Sequence, residues 1–94
     1  MLTYKASYKL AEGVMLAAVL DFPGTISYGN SLDDARKNLA SALHDMAETN
    51  LLRGEPLPLP TPSLTDPDAD LEEPIHLALQ TGHLLSVTVA RVSP

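Results

Sequence analysis

The segment from residue 21 to residue 35 constrains the fold of this chain more than any other. It reads Asp-Phe-Pro-Gly-Thr-Ile-Ser-Tyr-Gly-Asn-Ser-Leu-Asp-Asp-Ala and follows an apolar run over residues 14–20. Pro23-Gly24 favours a tight turn, because proline presets φ at one turn position and glycine accepts the positive φ of the next. The apolar residues after this turn predict a short strand that runs back beside a strand formed by residues 14–20.

A helix is predicted to follow Gly29, where we expect glycine to relieve the restriction on the backbone at the turn. Ser31 is a favoured N-cap, and Asp34, three residues later, forms a weak capping box. At 100° per residue, the apolar side chains fall on one face of this helix. They are Leu32, Ala35, Leu39, Ala42, Leu43 and Met46. Gly54 suits the end of the helix.

The remaining strands are predicted from alternation with a period of two. Residues 2–10 alternate apolar with polar side chains, and residues 84–92 do the same near the end of the chain. Residues 25–28 form the short strand after the turn, whereas residues 75–79 fit either a strand or a short helical turn. The chain is therefore predicted to be α+β, in the order β-β-β-α-β, with a small antiparallel sheet and one packed helix.

The second strand, residues 14–20, is apolar on both faces. One helix covers only one face of a small sheet, so a second subunit or a binding partner is expected to cover the other. A Pro-rich linker is predicted over residues 55–74, extended and mostly outside the core, within a single domain of residues 1–94. About seventy residues remain for the core, a size at which self-association to a dimer or tetramer often adds stability.

The charge balance limits the partners. Twelve acidic and six basic side chains give a net charge of −6, which disfavours direct binding to nucleic acid and suits a basic protein. Acidity is also common among soluble bacterial proteins. The chain has no cysteine, its N-terminus lacks the apolar region of a signal peptide, and its longest apolar run is too short to span a bilayer. We therefore expect a cytoplasmic protein.

Catalytic groups are sparse. Only Glu12 and Asp21 lie on or beside predicted strands, whereas a metal-dependent nuclease needs several converging carboxylates. The acidic run over residues 66–73 is predicted to be solvated. His44 is expected to pair with Glu48 on the helix surface, and His76 and His83 flank a turn at Thr81-Gly82 without further ligands. We expect no enzyme activity, no catalytic or metal site and no cofactor.

The outer face of the helix is the remaining candidate for a binding site. Its residues are Lys37, Ser41, His44, Asp45 and Glu48. They form either a solvated surface, for which the i,i+4 spacing of Asp33 and Lys37 is typical, or a recognition face for a basic partner. In the second interpretation Asp45 and Glu48 make the main charged contacts.

Taken in order, these motifs resemble the HicB-like antitoxin family. That family carries Asp-Leu-Pro-Gly, then Gly-Asp-Thr/Ser, then Glu-Glu-Ala, and after the helix Gly-x-x-(Ile/Leu)-Pro. The corresponding segments here are Asp21-Phe22-Pro23-Gly24, Gly29-Asn30-Ser31, Asp33-Asp34-Ala35 and Gly54-Glu55-Pro56-Leu57-Pro58. The resemblance covers residues 2 to about 60 well and the last strand loosely.

The resemblance implies a truncated relative of the ribonuclease H architecture that has lost catalysis. It implies a partner, HicA, a small basic toxin that cleaves mRNA and whose RNA-binding surface and catalytic histidine the antitoxin covers. Many family members carry a C-terminal DNA-binding domain. Because this chain ends at Pro94, we expect no such domain and no autorepression by this chain alone.

Two other hypotheses stay open. The chain is a homo-oligomeric interaction or scaffold protein without a toxin, in which case no gene for a small basic protein lies beside its own. Alternatively, it is a divalent-metal nuclease, which requires Asp21 to lie within metal-bridging distance of other carboxylates.

Overall fold

The computed structural model describes residues 1–80 and 84–90. Within them, five strands and one helix follow one another along the chain. They are β1 (Leu2–Ala11), β2 (Val14–Val19), β3 (Ile26–Gly29), α1 (Leu32–Leu52), β4 (Leu71–Gln80) and β5 (Leu84–Val89). The strands form one antiparallel sheet in the order β3-β2-β1-β4-β5. The predicted α+β class with one packed helix is confirmed.

Residues 75–79, which fit either a strand or a short helical turn, belong to strand β4. The order of elements is therefore β-β-β-α-β-β, with one strand more than predicted. β4 begins at Leu71, and the predicted Pro-rich linker therefore ends four residues early, before residues 71–74. Pro74 fits in this strand because it lies opposite Ala90, just beyond the end of β5. Its carbonyl accepts a hydrogen bond from Ala90 N, and the N–H that proline lacks would have bonded only at this end of the ladder. The predicted end of the last strand, Arg91 and Val92, and the turn at Thr81-Gly82 with His83 lie outside the described residues.

The turn between β2 and β3 has the geometry that Pro23-Gly24 predicts. Thr25 N donates to Phe22 O at 3.0 Å, and Gly24 has φ +84°. Proline followed by a glycine with positive φ defines a type II turn. The turn sets β3 antiparallel to β2, with Ala18 opposite Ile26.

Helix α1 begins where the capping residues predict. Ser31 is the N-cap, and its hydroxyl accepts a hydrogen bond from Asp34 N at 3.1 Å. Gly54, with φ +69°, lies just beyond the C-cap Arg53. The buried helix residues are Ala35, Arg36, Leu39, Leu43 and Ala47. Of the predicted apolar face, Leu32, Ala42 and Met46 are only partly buried.

The core lies between this helix and the inner face of the sheet. β1 contributes Tyr4, Ala6 and Tyr8, which lie opposite Ile75, Val19 and other apolar residues of the neighbouring strands. Tyr4 also contacts Phe22 edge-to-face, with ring centroids 5.8 Å apart. The alternation along β1 therefore gives one buried face, as the sequence indicates.

The Pro-rich segment, residues 55–70, folds back onto the sheet. Leu57 packs against the core, and Pro58 O accepts a 2.7 Å hydrogen bond from the Tyr4 hydroxyl. On the outer face, the face opposite the helix, Lys5 Nζ donates to Pro62 O at 3.3 Å and to Leu64 O at 2.7 Å. Most residues of this segment are exposed, and Leu57 is the point at which it joins the core. Part of the outer face is covered by the chain itself.

Gly29 is needed for a reason that differs from the predicted backbone freedom at a turn. A Cβ atom on this residue would lie 2.4 Å from Ala35 N and 2.7 Å from Asp34 C, so the first turn of α1 packs directly on the end of β3. Positive φ applies to Gly24 instead.

We predict that Gly29→Ala lowers the free energy of unfolding by about 3 kcal/mol, because the helix must move away from β3. Gly54→Ala is the matched control. Its φ is positive but its Cβ position is open, so we expect a loss of about 1 kcal/mol. Urea unfolding of both variants measures the difference. Equal losses would show that close packing at Gly29 is not what requires glycine.

Candidate partner-binding site

Five side chains predicted to bind a partner lie on the solvent side of α1. Lys37, Ser41, Asp45 and Glu48 are exposed, and His44 is partly exposed. Lys37, Ser41, His44 and Glu48 are spaced by three or four residues and Asp45 is next to His44, so the five align along the helix over roughly 16 Å. We call these five residues the helix stripe. The fold brings them together, while their role in binding stays a prediction.

His44 pairs with a different carboxylate from the one expected. Its Nδ1 lies 3.5 Å from Asp45 Oδ1, rather than pairing with Glu48 one turn further on. The Asp45 side chain is 81% exposed, so solvent screens this contact and it contributes little to stability. Asp45 is therefore accessible to a partner.

The solvent side of α1 is acidic. The exposed carboxylates Asp33, Asp34, Asp45 and Glu48 outnumber its exposed lysine, Lys37. The second basic residue of the helix, Arg36, turns inward and is only 8% exposed. Removing Arg36 from the surface makes the solvent side more negative than the helix composition suggests.

Arg36 forms a two-pronged ion pair with Glu73 of β4. Arg36 Nε donates to Glu73 Oε1 at 2.8 Å, and Nη2 donates to Oε2 at 2.9 Å. The Glu73 side chain is fully buried, and the hydrogen bond with it raises the pKa of Arg36. Asp33 adds a longer contact to Arg36 Nη1 at 3.4 Å. The paired geometry fixes the rotation of the helix about its axis relative to the sheet.

Tyr8 lies beside this ion pair in the core. Burial raises the pKa of the Tyr8 hydroxyl well above its ordinary value, and the negative charge of Glu73 acts in the same direction. Tyr8 therefore stays protonated wherever the protein is folded at ordinary pH. The environment is that of a structural core group, since a general base needs a pKa near the working pH.

Sequence reasoning missed both members of the ion pair. Glu73 was predicted to be part of a solvated acidic run, and this is wrong, since the residue is only 2% exposed. The available signal was alternation, because Leu71, Glu73 and Ile75 share one face of a strand. An acidic residue at an inward position of a strand requires a buried cation, and Arg36 is that cation.

A groove runs beside the first turns of α1. It has a volume of about 450 Å³ and lies between the helix and β5. Asp33, Asp34 and Lys37 line one wall, and Val87, Thr88 and Val89 line the other. The helix stripe is therefore continuous, through Lys37, with a concave surface that offers both charged and apolar contacts.

The side chains considered for catalysis have other contacts. Asp21 Oδ2 accepts from Thr61 N at 2.7 Å and so anchors the Pro-rich segment. His76 Nδ1 lies 2.9 Å from the Thr3 hydroxyl on the outer face. In residues 1–80 and 84–90, no three His, Asp or Glu side chains are grouped closely enough to hold a metal ion. His83 lies outside that part of the chain.

The fold is similar to that of a solved antitoxin domain. This solved structure is the N-terminal domain of the antitoxin HicB from Burkholderia pseudomallei, with a TM-score of 0.60 and 22% identity over 97% of this chain and 100% of that chain. The HicB-like fold predicted from the motifs is thereby confirmed. No family model and no curated protein matches the sequence.

None of the helices in the described part of the chain is both long enough and apolar enough to cross a membrane.

We predict that Glu73→Gln lowers the free energy of unfolding by about 3–5 kcal/mol, because Arg36 stays buried and loses the nearer of its two carboxylate partners. Glu55→Gln, the same change at an exposed position, should cost less than about 0.5 kcal/mol. Chemical denaturation of the two variants gives both values. The double variant Arg36→Met/Glu73→Met should recover most of the loss, since apolar replacement of a buried pair is often neutral. A double variant as unstable as Glu73→Gln would contradict the ion-pair account.

Proposed function

We propose that this protein is a bacterial antitoxin that binds a HicA-type mRNA-cleaving toxin and blocks it without catalysis. The observation that carries the proposal is the HicB-like fold over almost the whole chain. That solved domain belongs to an antitoxin, and we extend this role to the present chain because the fold is shared and the motifs match. The proposed inhibition is occlusion, in which the antitoxin covers the RNA-binding surface and the catalytic histidine of the toxin.

The charge distribution supports a basic partner of this kind. An mRNA-cleaving enzyme needs positive charge to bind phosphates, and the solvent side of α1 presents four carboxylates. Complementary charge accelerates association and aligns the two proteins. The helix stripe would therefore occupy the surface that the toxin uses for RNA. We propose that the complex forms in the cytoplasm, where mRNA is available.

We predict that Asp45→Lys/Glu48→Lys weakens toxin binding about tenfold or more, because two attractive contacts become repulsive. Isothermal titration with a purified, catalytically inactive HicA-type toxin from the same genome measures the change. Affinity of the unchanged protein should also fall as salt is raised, since the contacts are solvent-exposed.

Glu55→Lys is the matched control for this experiment. Glu55 is exposed and lies beyond the end of α1, so its charge reversal should leave affinity within about twofold. Thermal unfolding checks that all variants are folded. If the double variant binds as tightly as the unchanged protein, the helix stripe is not the toxin-binding face.

A homo-oligomeric interaction protein without a toxin is the second candidate function. The observation that favours it is an uncovered apolar surface on the outer face of β2 and β3, where Ile26 and Tyr28 are exposed. Expected self-association to a dimer or tetramer belongs to both candidates. Co-expression with a small basic protein from an adjacent gene separates them, because only an antitoxin co-elutes with it and relieves growth arrest.

A further inference from the structure

The two edges of the sheet differ in their openness to a further strand. β3 forms one edge with four residues, and Asn38 Nδ2 of the helix already donates to its Tyr28 O at 2.8 Å. β5 forms the other edge, and within residues 1–80 and 84–90 it pairs with β4 alone. Its six residues include neither a charge nor a proline, the usual devices that prevent pairing at an edge. β5 is therefore the edge that another strand can extend.

The register of β5 shows which backbone groups line its open edge. Ala90 N donates to Pro74 O at 3.1 Å, and hydrogen bonding alternates along an antiparallel pair. The backbone of Thr88, two residues earlier, therefore faces β4 as well, whereas the backbones of Val87 and Val89 point away from it. Each of these two valines offers one N–H and one C=O to an extended segment that lies beside β5.

The groove of about 450 Å³ beside α1 follows this open edge. The side chains of Val87 and Val89 lie opposite Leu77 and Ile75 and share their inner face, under the helix. Ala40, a small residue, forms part of the helix wall and leaves room beside the edge. A strand added to β5 thus directs every second side chain into the groove, against α1.

The charges of the helix wall define the segment that fits. The charge of Arg36 is matched in the core by Glu73, so the wall presents the carboxylates of Asp33 and Asp34 against one cation, Lys37. The wall is thus acidic within a protein of net charge −6. A Lys or Arg side chain on the helix side of an added strand lies beside these carboxylates and complements them.

A second copy of the chain does not match this chemistry. β5 itself, Leu84–Val89, has no cation to place beside Asp33 and Asp34. Two-fold pairing of two β5 strands would also bring the acidic helix walls of both copies to the same face of the joined sheet, where they repel each other. The edge therefore favours a basic partner over self-pairing.

We propose that the edge of β5 binds an extended segment of the toxin as an additional strand, with a cationic side chain of that segment beside Asp33 and Asp34. The proposal rests on the proposed function, because the toxin supplies the strand. It adds backbone pairing to the charged contacts of the helix stripe, and the two surfaces meet at Lys37.

Amide hydrogen exchange, followed by NMR on the full chain, tests the pairing directly. The probe is the purified, catalytically inactive HicA-type toxin from the same genome. In the free protein the amide of Thr88 should be protected, since it faces β4, and those of Val87 and Val89 should exchange faster. Toxin binding should slow exchange at both valines about tenfold or more, because their N–H groups become hydrogen-bonded.

Val87→Pro removes the N–H that faces the open edge and keeps the bonds of Thr88 to β4. It should weaken toxin binding about tenfold, through the lost hydrogen bond and the proline ring at the edge. Val87→Thr is the matched control, since it keeps both the N–H and a β-branched side chain, and it should bind within about twofold of the unchanged protein. Thermal unfolding checks that both variants are folded.

The outcomes separate this proposal from the antitoxin proposal. Toxin that binds while the exchange of Val87 and Val89 stays unchanged would overturn strand addition and leave the antitoxin function standing. Protection of the two valines in the protein alone, rising with its concentration, would overturn the proposal by assigning the edge to a second copy. Absence of any toxin binding would overturn both proposals.

Discussion

The ion pair between Arg36 and Glu73 is the constraint on which the arrangement of this protein depends. Two short hydrogen bonds join the first turns of α1 to β4, across residues that are 37 positions apart in sequence. A helix rotated by one residue would move Arg36 out and leave the Glu73 carboxylate in the core without a counter-charge. The rotation that satisfies Glu73 is also the one that turns Leu39 and Leu43 inward and the acidic side chains outward. Internal electrostatics therefore set the surface that the helix offers to a partner.

The elements with local signals could be predicted from the sequence. Pro23-Gly24 encodes a type II turn, Ser31 encodes the start of α1, and strict alternation encodes β1. Each depends on neighbouring residues alone. The helix stripe follows from the same periodicity, because its spacing is a property of the helix and not of the rest of the fold.

The features that could not be predicted from the sequence depend on contacts between residues far apart in the chain. The prolines before Leu71 make the start of β4 hard to recognise in the sequence. Nothing next to Glu73 in the sequence marks this residue as buried, because its partner Arg36 lies 37 positions earlier. The Pro-rich segment follows the same rule. Its course is fixed by Lys5 and Asp21, residues more than 35 positions earlier, and nothing in its composition identifies them. Contacts of this kind are decided by tertiary packing.

The two faces of the sheet have different chemistry. The helix side presents carboxylates, which suit a basic partner, whereas the outer face of β2 and β3 exposes the apolar side chains of Leu16, Ile26 and Tyr28. The Pro-rich segment covers the neighbouring part of the outer face, where Lys5 and Glu72 bind its backbone.

The most direct test of the antitoxin account is inhibition of mRNA cleavage. A purified HicA-type toxin encoded beside this gene is incubated with an RNA transcript and increasing amounts of the protein, and the remaining full-length RNA is measured. We expect cleavage to stop at a defined molar ratio of the two proteins, without loss of the toxin itself. Cleavage that continues undiminished at a large excess of the protein would contradict the account and leave only the shared fold.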